Sequence, residues 1–101
     1  MQTQTSVDNG QGMVKLAGRF DFNSHRDFRA AYDTLMEDAQ VQSVIVDLGG
    51  VDYLDSSALG MLLMLRDKAG LTGKTVAIAN ARGSVKQVLD IANFRKLFAF
   101  V

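Results

Sequence analysis

Two consecutive hydroxyls behind a carboxylate, Asp55-Ser56-Ser57, are the residues of this chain best placed to do chemistry. They stand where a strand-end loop meets an apolar helical run. A helix start there makes Asp55 or Ser56 a cap, because a short polar side chain can accept from an unpaired backbone N–H. The same position suits a second role. Free N–H groups and the helix dipole favour an anion, so a serine at this point can accept a phosphate without unfolding the domain.

Other candidates are weaker. Gly70-Leu71-Thr72-Gly73-Lys74-Thr75 ends like a phosphate-binding loop, but the full pattern needs Gly where Lys68 stands. A helix also precedes this run and a strand follows it, the reverse of what such a loop requires. Gly70 reads more simply as a helix C-terminal residue. His25 is the one histidine. Adjacent Asp55 and Ser56 cannot easily place it between them in a catalytic relay, so it reads as a solvated first-turn residue. The aspartates show no spacing that by itself argues for acid–base work.

The elements that must position Asp55-Ser56-Ser57 follow from periodicity. Asn9-Gly10-Gln11-Gly12 is a turn between a weak strand, Thr3 to Asp8, and a better one, Met13 to Ala17. Phe28, Tyr32, Leu35, Met36 and Ala39 recur at helical spacing. Ser24 is the expected cap of that helix, with Asp27 completing a capping box. Val44 to Leu48 reads as a central parallel strand ended by Gly49-Gly50. After Val51 to Asp55, a helix from about Ser56 to Ala69 is apolar over much of its circumference. Either the core or a partner covers that surface, and Met61 and Met64 fit both readings. Thr75 to Ala79 reads as a strand and Ser84 to Ala92 as a helix. Asn93 sits where positive φ is needed. Leu97 to Val101 reads as a short final strand or a packed apolar tail. Alternation after the first hairpin predicts right-handed βαβ crossovers and a mixed, mostly parallel sheet.

Composition narrows the function. A chain of 101 residues fits a single domain, 1–101, able to fold without a metal or disulfide. There is no Cys, and 11 basic residues balance 11 acidic ones, so nothing steers the chain to nucleic acid or an anionic membrane. No secretory leader or membrane span is visible in these residues. The expectation is a cytoplasmic α/β domain that binds protein, needs no cofactor and is not an enzyme. Monomer is the simplest state.

Asp55-Ser56-Ser57-Ala58-Leu59-Gly60 resembles the signature of the STAS (sulfate transporter and anti-sigma antagonist) family, in particular its anti-sigma factor antagonists. Gly18-Arg19-Phe20-Asp21, Val44 to Leu48, Ser84-x-Val-Lys through Leu89-Asp90, and Asn93-Phe94 with Phe98 extend the resemblance along nearly the whole chain. It implies a STAS fold: a mixed, mostly parallel sheet with right-handed βα units and helices largely on one side. It implies that the unphosphorylated form binds an anti-sigma factor that is also a serine kinase and frees its client sigma factor. The kinase phosphorylates Ser56 and releases the antagonist, and a serine phosphatase resets it. The partner-binding positions implied are Asp21, Asn23, Ser24, Asp55, Ser56, Ser57, Leu59, Gly60, Met61 and Met64. An unswitched accessory subunit of a transporter or stress complex is the alternative. The chain stops soon after the last strand, where many family members add a helix, and Asn93 stands where Gly is common.

Overall fold

Asn9 and Gly10 both take positive φ, 51° and 80°, which is the geometry of a tight two-residue hairpin turn. It joins β1 (Gln2–Asp8) to β2 (Gln11–Phe20) as an antiparallel pair. The computed structural model describes every residue, 1–101. A 3-10 turn at Phe22–Ser24 leads into α1 (His25–Glu37), then β3 (Ser43–Leu54), α2 (Ser56–Leu71), β4 (Thr75–Ala79) and α3 (Gly83–Ile91). A second 3-10 turn, Phe94–Lys96, precedes β5 (Ala99–Phe100). The sheet order is β1-β2-β3-β4-β5, with β2 through β5 parallel. Each helix therefore links a strand to its immediate neighbour. Right-handed crossovers advancing in one direction put α1, α2 and α3 on one face, as expected.

The core lies between that face and the helices. Val14 and Leu16, Val44, Val46 and Leu48, and Ile78 point into it from the three middle strands. They meet Phe28, Leu35, Leu62, Leu65 and Leu89 from the helices, and all of these side chains are buried. Phe20, Phe28 and Tyr32 make an aromatic ladder, the first pair tilted with centroids 4.9 Å apart and the second edge-to-face at 5.2 Å.

Several boundaries differ from expectation, each for a local reason. Gly49-Gly50 does not end the central strand; β3 runs unbroken to Leu54. A Cβ on Gly50 would lie 2.9 Å from the Leu16 carbonyl oxygen, so glycine there lets β2 approach and keep pairing. β2 continues through Phe20 by shifting register on either side of Ala17 and Gly18. Gly70 does not end α2. The left-handed position falls to Gly73, φ 72°, while Lys74 N–H donates to the Ala69 carbonyl at 2.8 Å. β5 is shorter than Leu97 to Val101, because the 3-10 turn and the buried Phe98 consume the residues before Ala99. Asn93 takes φ 59°, as anticipated.

Candidate functional site

The ends of β2 and β3 lie side by side, and the Asp55 N–H donates to the Phe20 carbonyl at 3.3 Å. Two helix starts are thereby held together. On the β3 side, Asp55 caps α2: its backbone is extended and its Oδ1 accepts from the Ala58 N–H at 3.0 Å. Ser56 and Ser57 are thus released from capping. Ser56 is the first residue of the helix and is exposed, whereas Ser57 is half-buried. The first N–H groups of α2 open toward the same surface.

On the β2 side the expected cap is corrected. Ser24 makes no side-chain cap to α1, and Asp27 forms no capping box with it. The box sits three residues earlier. Asp21 Oδ1 accepts from the Asn23 N–H at 3.0 Å, and Ser24 Oγ accepts from the Asp21 N–H at 3.1 Å. Ser24 Oγ also donates to the Arg19 carbonyl at 3.0 Å. With both roles filled the side chain is buried, so Ser24 offers no contact to a partner. Asp21 is half-buried and Asn23 exposed. The Arg19 guanidinium lies 4.0 Å above the Tyr53 ring and 3.6 Å from the Asp21 carboxylate, fixing the outer rim of this corner.

Between the two starts is a shallow concavity of about 460 Å³ lined by Phe22, His25, Ser57, Gly60, Met61 and Met64. Phe22 is 75% exposed and Met64 48% exposed, both unusual for large apolar side chains. Met61 is buried and reaches the concavity only from beneath. The two methionines therefore divide: Met61 is core and Met64 is surface. Leu59 is half-buried and packs against the core. On α2, Ser56, Gly60 and Met64 follow at four-residue steps and share one exposed stripe. A Cβ on Gly60 would meet nothing within 4 Å. The fold has no use for glycine there, although a mid-helix glycine costs about 0.5–1 kcal/mol relative to alanine.

Phe22 and His25 are the site residues that sequence reasoning missed. A signal for Phe22 was present: Phe20 ends a strand facing the core, so an aromatic two positions later, past the turn residue Asp21, has no obvious place inside. Neither the Ser56 nor the Ser57 hydroxyl is hydrogen-bonded to His25 or to a carboxylate. No three His, Asp or Glu side chains gather as metal ligands. A larger groove of about 710 Å³ lies between α2 and the β4–β5 edge. Its Lys74 is already committed to the Asp38 and Val41 carbonyls. The run from Gly70 to Thr75 goes from helix end to strand, and so does not form a phosphate-binding loop.

Residues 3–99 match the family model described as Mlab, STAS domain. A STAS-domain containing protein of Pseudomonas aeruginosa strain UCBPP-PA14 is 44% identical over 93 residues, covering 92% of this chain and 90% of that one. An anti-sigma F factor antagonist of Paenibacillus polymyxa is 23% identical over 99 residues, covering 96% and 85%. Among solved structures, the anti-sigma factor antagonist SpoIIAA in its unphosphorylated form superposes with a TM-score of 0.76 at 18% identity, over 99% of this chain and 87% of that one. A sulfate transporter family protein from Wolinella succinogenes superposes with a TM-score of 0.78 at 14% identity, over 94% and 80%. At these identities the structural likenesses establish the fold.

Proposed function

The chain belongs to the STAS-domain family and is an anti-sigma factor antagonist-like STAS domain; from that premise we propose that it is a binding protein switched by phosphorylation of Ser56. The observation that carries this is the division of labour at the start of α2. Asp55 does the capping, which leaves the Ser56 hydroxyl exposed beside an apolar concavity. The unphosphorylated surface binds an anti-sigma factor that is also a serine kinase, in the cytoplasm where ATP is available, and displaces the client sigma factor. Phe22 and Met64 supply the apolar contact, with Asp21, Asn23, Asp55 and Ser57 around them. Gly60 lets the partner's backbone come close to α2.

In the kinase, Ser56 Oγ attacks the γ-phosphorus of ATP. The new O–P bond replaces the bond to ADP, and the hydroxyl proton passes to a base of the kinase. A serine phosphatase adds water across that O–P bond, restoring the hydroxyl and releasing inorganic phosphate. The modification adds close to two negative charges at neutral pH. They sit next to the Asp55 carboxylate and on the rim of an apolar contact, where desolvation is costly. A penalty of about 3 kcal/mol would lower affinity about a hundredfold. The helix dipole tolerates the same charge, so the domain stays folded while the surface changes. SpoIIAA, a Bacillus cell fate determinant of the same fold, has both an unphosphorylated and a phosphorylated form.

Incubation with the cognate kinase and ATP, followed by peptide mapping, should place one phosphate on Ser56 and none on the Ser56→Ala variant. An unmodified chain after exhaustive incubation would sink the switch. The likeness to a sulfate transporter family protein motivates a second reading, an unswitched subunit of a transport complex. Affinity capture that returned transport components, with no kinase, would favour it.

A further inference from the structure

β1 is an edge strand whose outer side pairs with no other strand. All seven of its residues are exposed, and its pairing with β2 runs from Gln2 to Asp8 without a bulge. Protein sheets ordinarily blunt such an edge with lysine, proline, a bulge or brevity. Gln2-Thr3-Gln4-Thr5-Ser6-Val7-Asp8 uses none of these. The opposite edge of the same sheet is blunted, since β5 has two residues and Arg95 lies over its Phe100.

Hairpin geometry decides which groups the open edge presents. In a two-residue hairpin the residues flanking the turn, here Asp8 and Gln11, form the closing hydrogen-bonded pair. Backbone direction alternates along the strand, so Asp8, Ser6, Gln4 and Gln2 turn their N–H and C=O groups toward β2. Thr3, Thr5 and Val7 turn theirs outward, where the chain supplies no strand. Their side chains share the face of Leu16, Val14 and Gly12, their partners on β2, and so lie on the helix side. Val7 is 46% exposed there.

We propose that β1 pairs antiparallel with β1 of a second copy of this chain, on a two-fold axis through Thr5, making one continuous ten-stranded sheet from two five-stranded ones. The strand is complementary to itself in this register. Thr5 meets Thr5 of the second copy, and Thr3 meets Val7 in both directions. All three outward-facing residues are thereby matched with outward-facing residues, and each such pair exchanges two hydrogen bonds. Threonine against threonine and threonine against valine are favourable cross-strand pairs. Asp8, the one charged side chain of the strand, falls opposite the neutral Gln2. A register centred on Gln4 or Ser6 also matches outward-facing residues, but it makes two such pairs where the Thr5-centred register makes three. The contact is small, so dissociation is expected at about micromolar concentration or above.

Sedimentation equilibrium of the full chain from low micromolar to millimolar concentration tests this. The expected result is a reversible monomer–dimer equilibrium. Thr5→Pro should abolish association while retaining the parent's far-ultraviolet circular dichroism and unfolding midpoint, because the Thr5 N–H has no partner within the chain. Thr5→Lys should weaken the dimer about tenfold or more by setting like charges face to face. Mixing Thr5→Lys with Thr5→Glu should restore association as a heterodimer, because the two substituted positions face each other across the axis. A parent chain monomeric throughout would overturn the proposal. So would a dimer indifferent to Thr5→Pro and Thr5→Lys, since it would form on another surface.

Discussion

Two helical starts of this domain, the 3-10 turn that leads into α1 and the first turn of α2, begin in nearly the same way and end up with opposite uses. Both follow the C-terminal end of a parallel strand, and both open on an aspartate with serine close behind: Asp21 with Ser24, and Asp55 with Ser56. At the first, the serine turns inward, satisfies the Asp21 N–H and the Arg19 carbonyl, and is buried. At the second, the aspartate caps alone and the serine stands in solvent. The difference is spacing. Three residues close a capping box, in which each side chain reaches the other's backbone. One residue does not. A hydroxyl in a closed box is spent on the fold, whereas a hydroxyl outside one is available to a partner or a kinase.

The largest expected effect tests the available hydroxyl. Ser56→Asp should lower affinity for the anti-sigma partner by about a hundredfold or more while leaving the unfolding midpoint close to the parent's. Titration calorimetry and thermal unfolding of the same preparation check both halves. Binding unchanged by Ser56→Asp would erase the contrast between the two starts.

Ser24→Ala comes next and should show the reverse pattern. Removing the buried hydroxyl strands the Asp21 N–H and the Arg19 carbonyl, at a cost of about 1–3 kcal/mol. Urea unfolding should register this loss, and partner affinity measured well below the transition should hardly move. Kinase modification of Ser24 would contradict its burial.

Phe22→Ala sharpens the comparison from the partner's side. The ring is mostly exposed, so stability should stay near the parent's while affinity falls about tenfold, as for an aromatic anchor in an interface. A stability loss with intact binding would make Phe22 a fold residue instead.

The smallest effect is Gly60→Ala. Helix propensity should raise stability by about 0.5–1 kcal/mol, since nothing stands where the new methyl would go. Affinity should fall if the partner's backbone uses that space. A variant both more stable and equally well bound would leave the glycine without a functional account.

Much of this was legible in the residues. The order of strands and helices, the central position of Val44 to Leu48 and the left-handed Asn93 all follow from local pattern, because each depends on a residue's own conformational preference or on its near neighbours. The Asp55-Ser56 helix start was legible for the same reason. Boundaries were harder. Gly49-Gly50 looked like a strand end, yet β3 continues because β2 needs to approach Gly50, and that need belongs to another strand.

What the sequence by itself determined is the set of candidates: a parallel sheet fed by βα units, a serine at a helix start, and an apolar helix with two methionines on it. Only the tertiary structure decided which members of that set reach the surface. It sent Ser24 and Met61 inward and left Phe22 and Met64 outside. The physical reason is that burial is a property of pairs of elements. Periodicity places a residue on one face of its own helix, but whether that face meets the sheet, a neighbouring helix or water depends on where the neighbours end. The open edge of β1 has the same origin. Its residues make it a strand, and only the order of the sheet leaves its outer side without a partner.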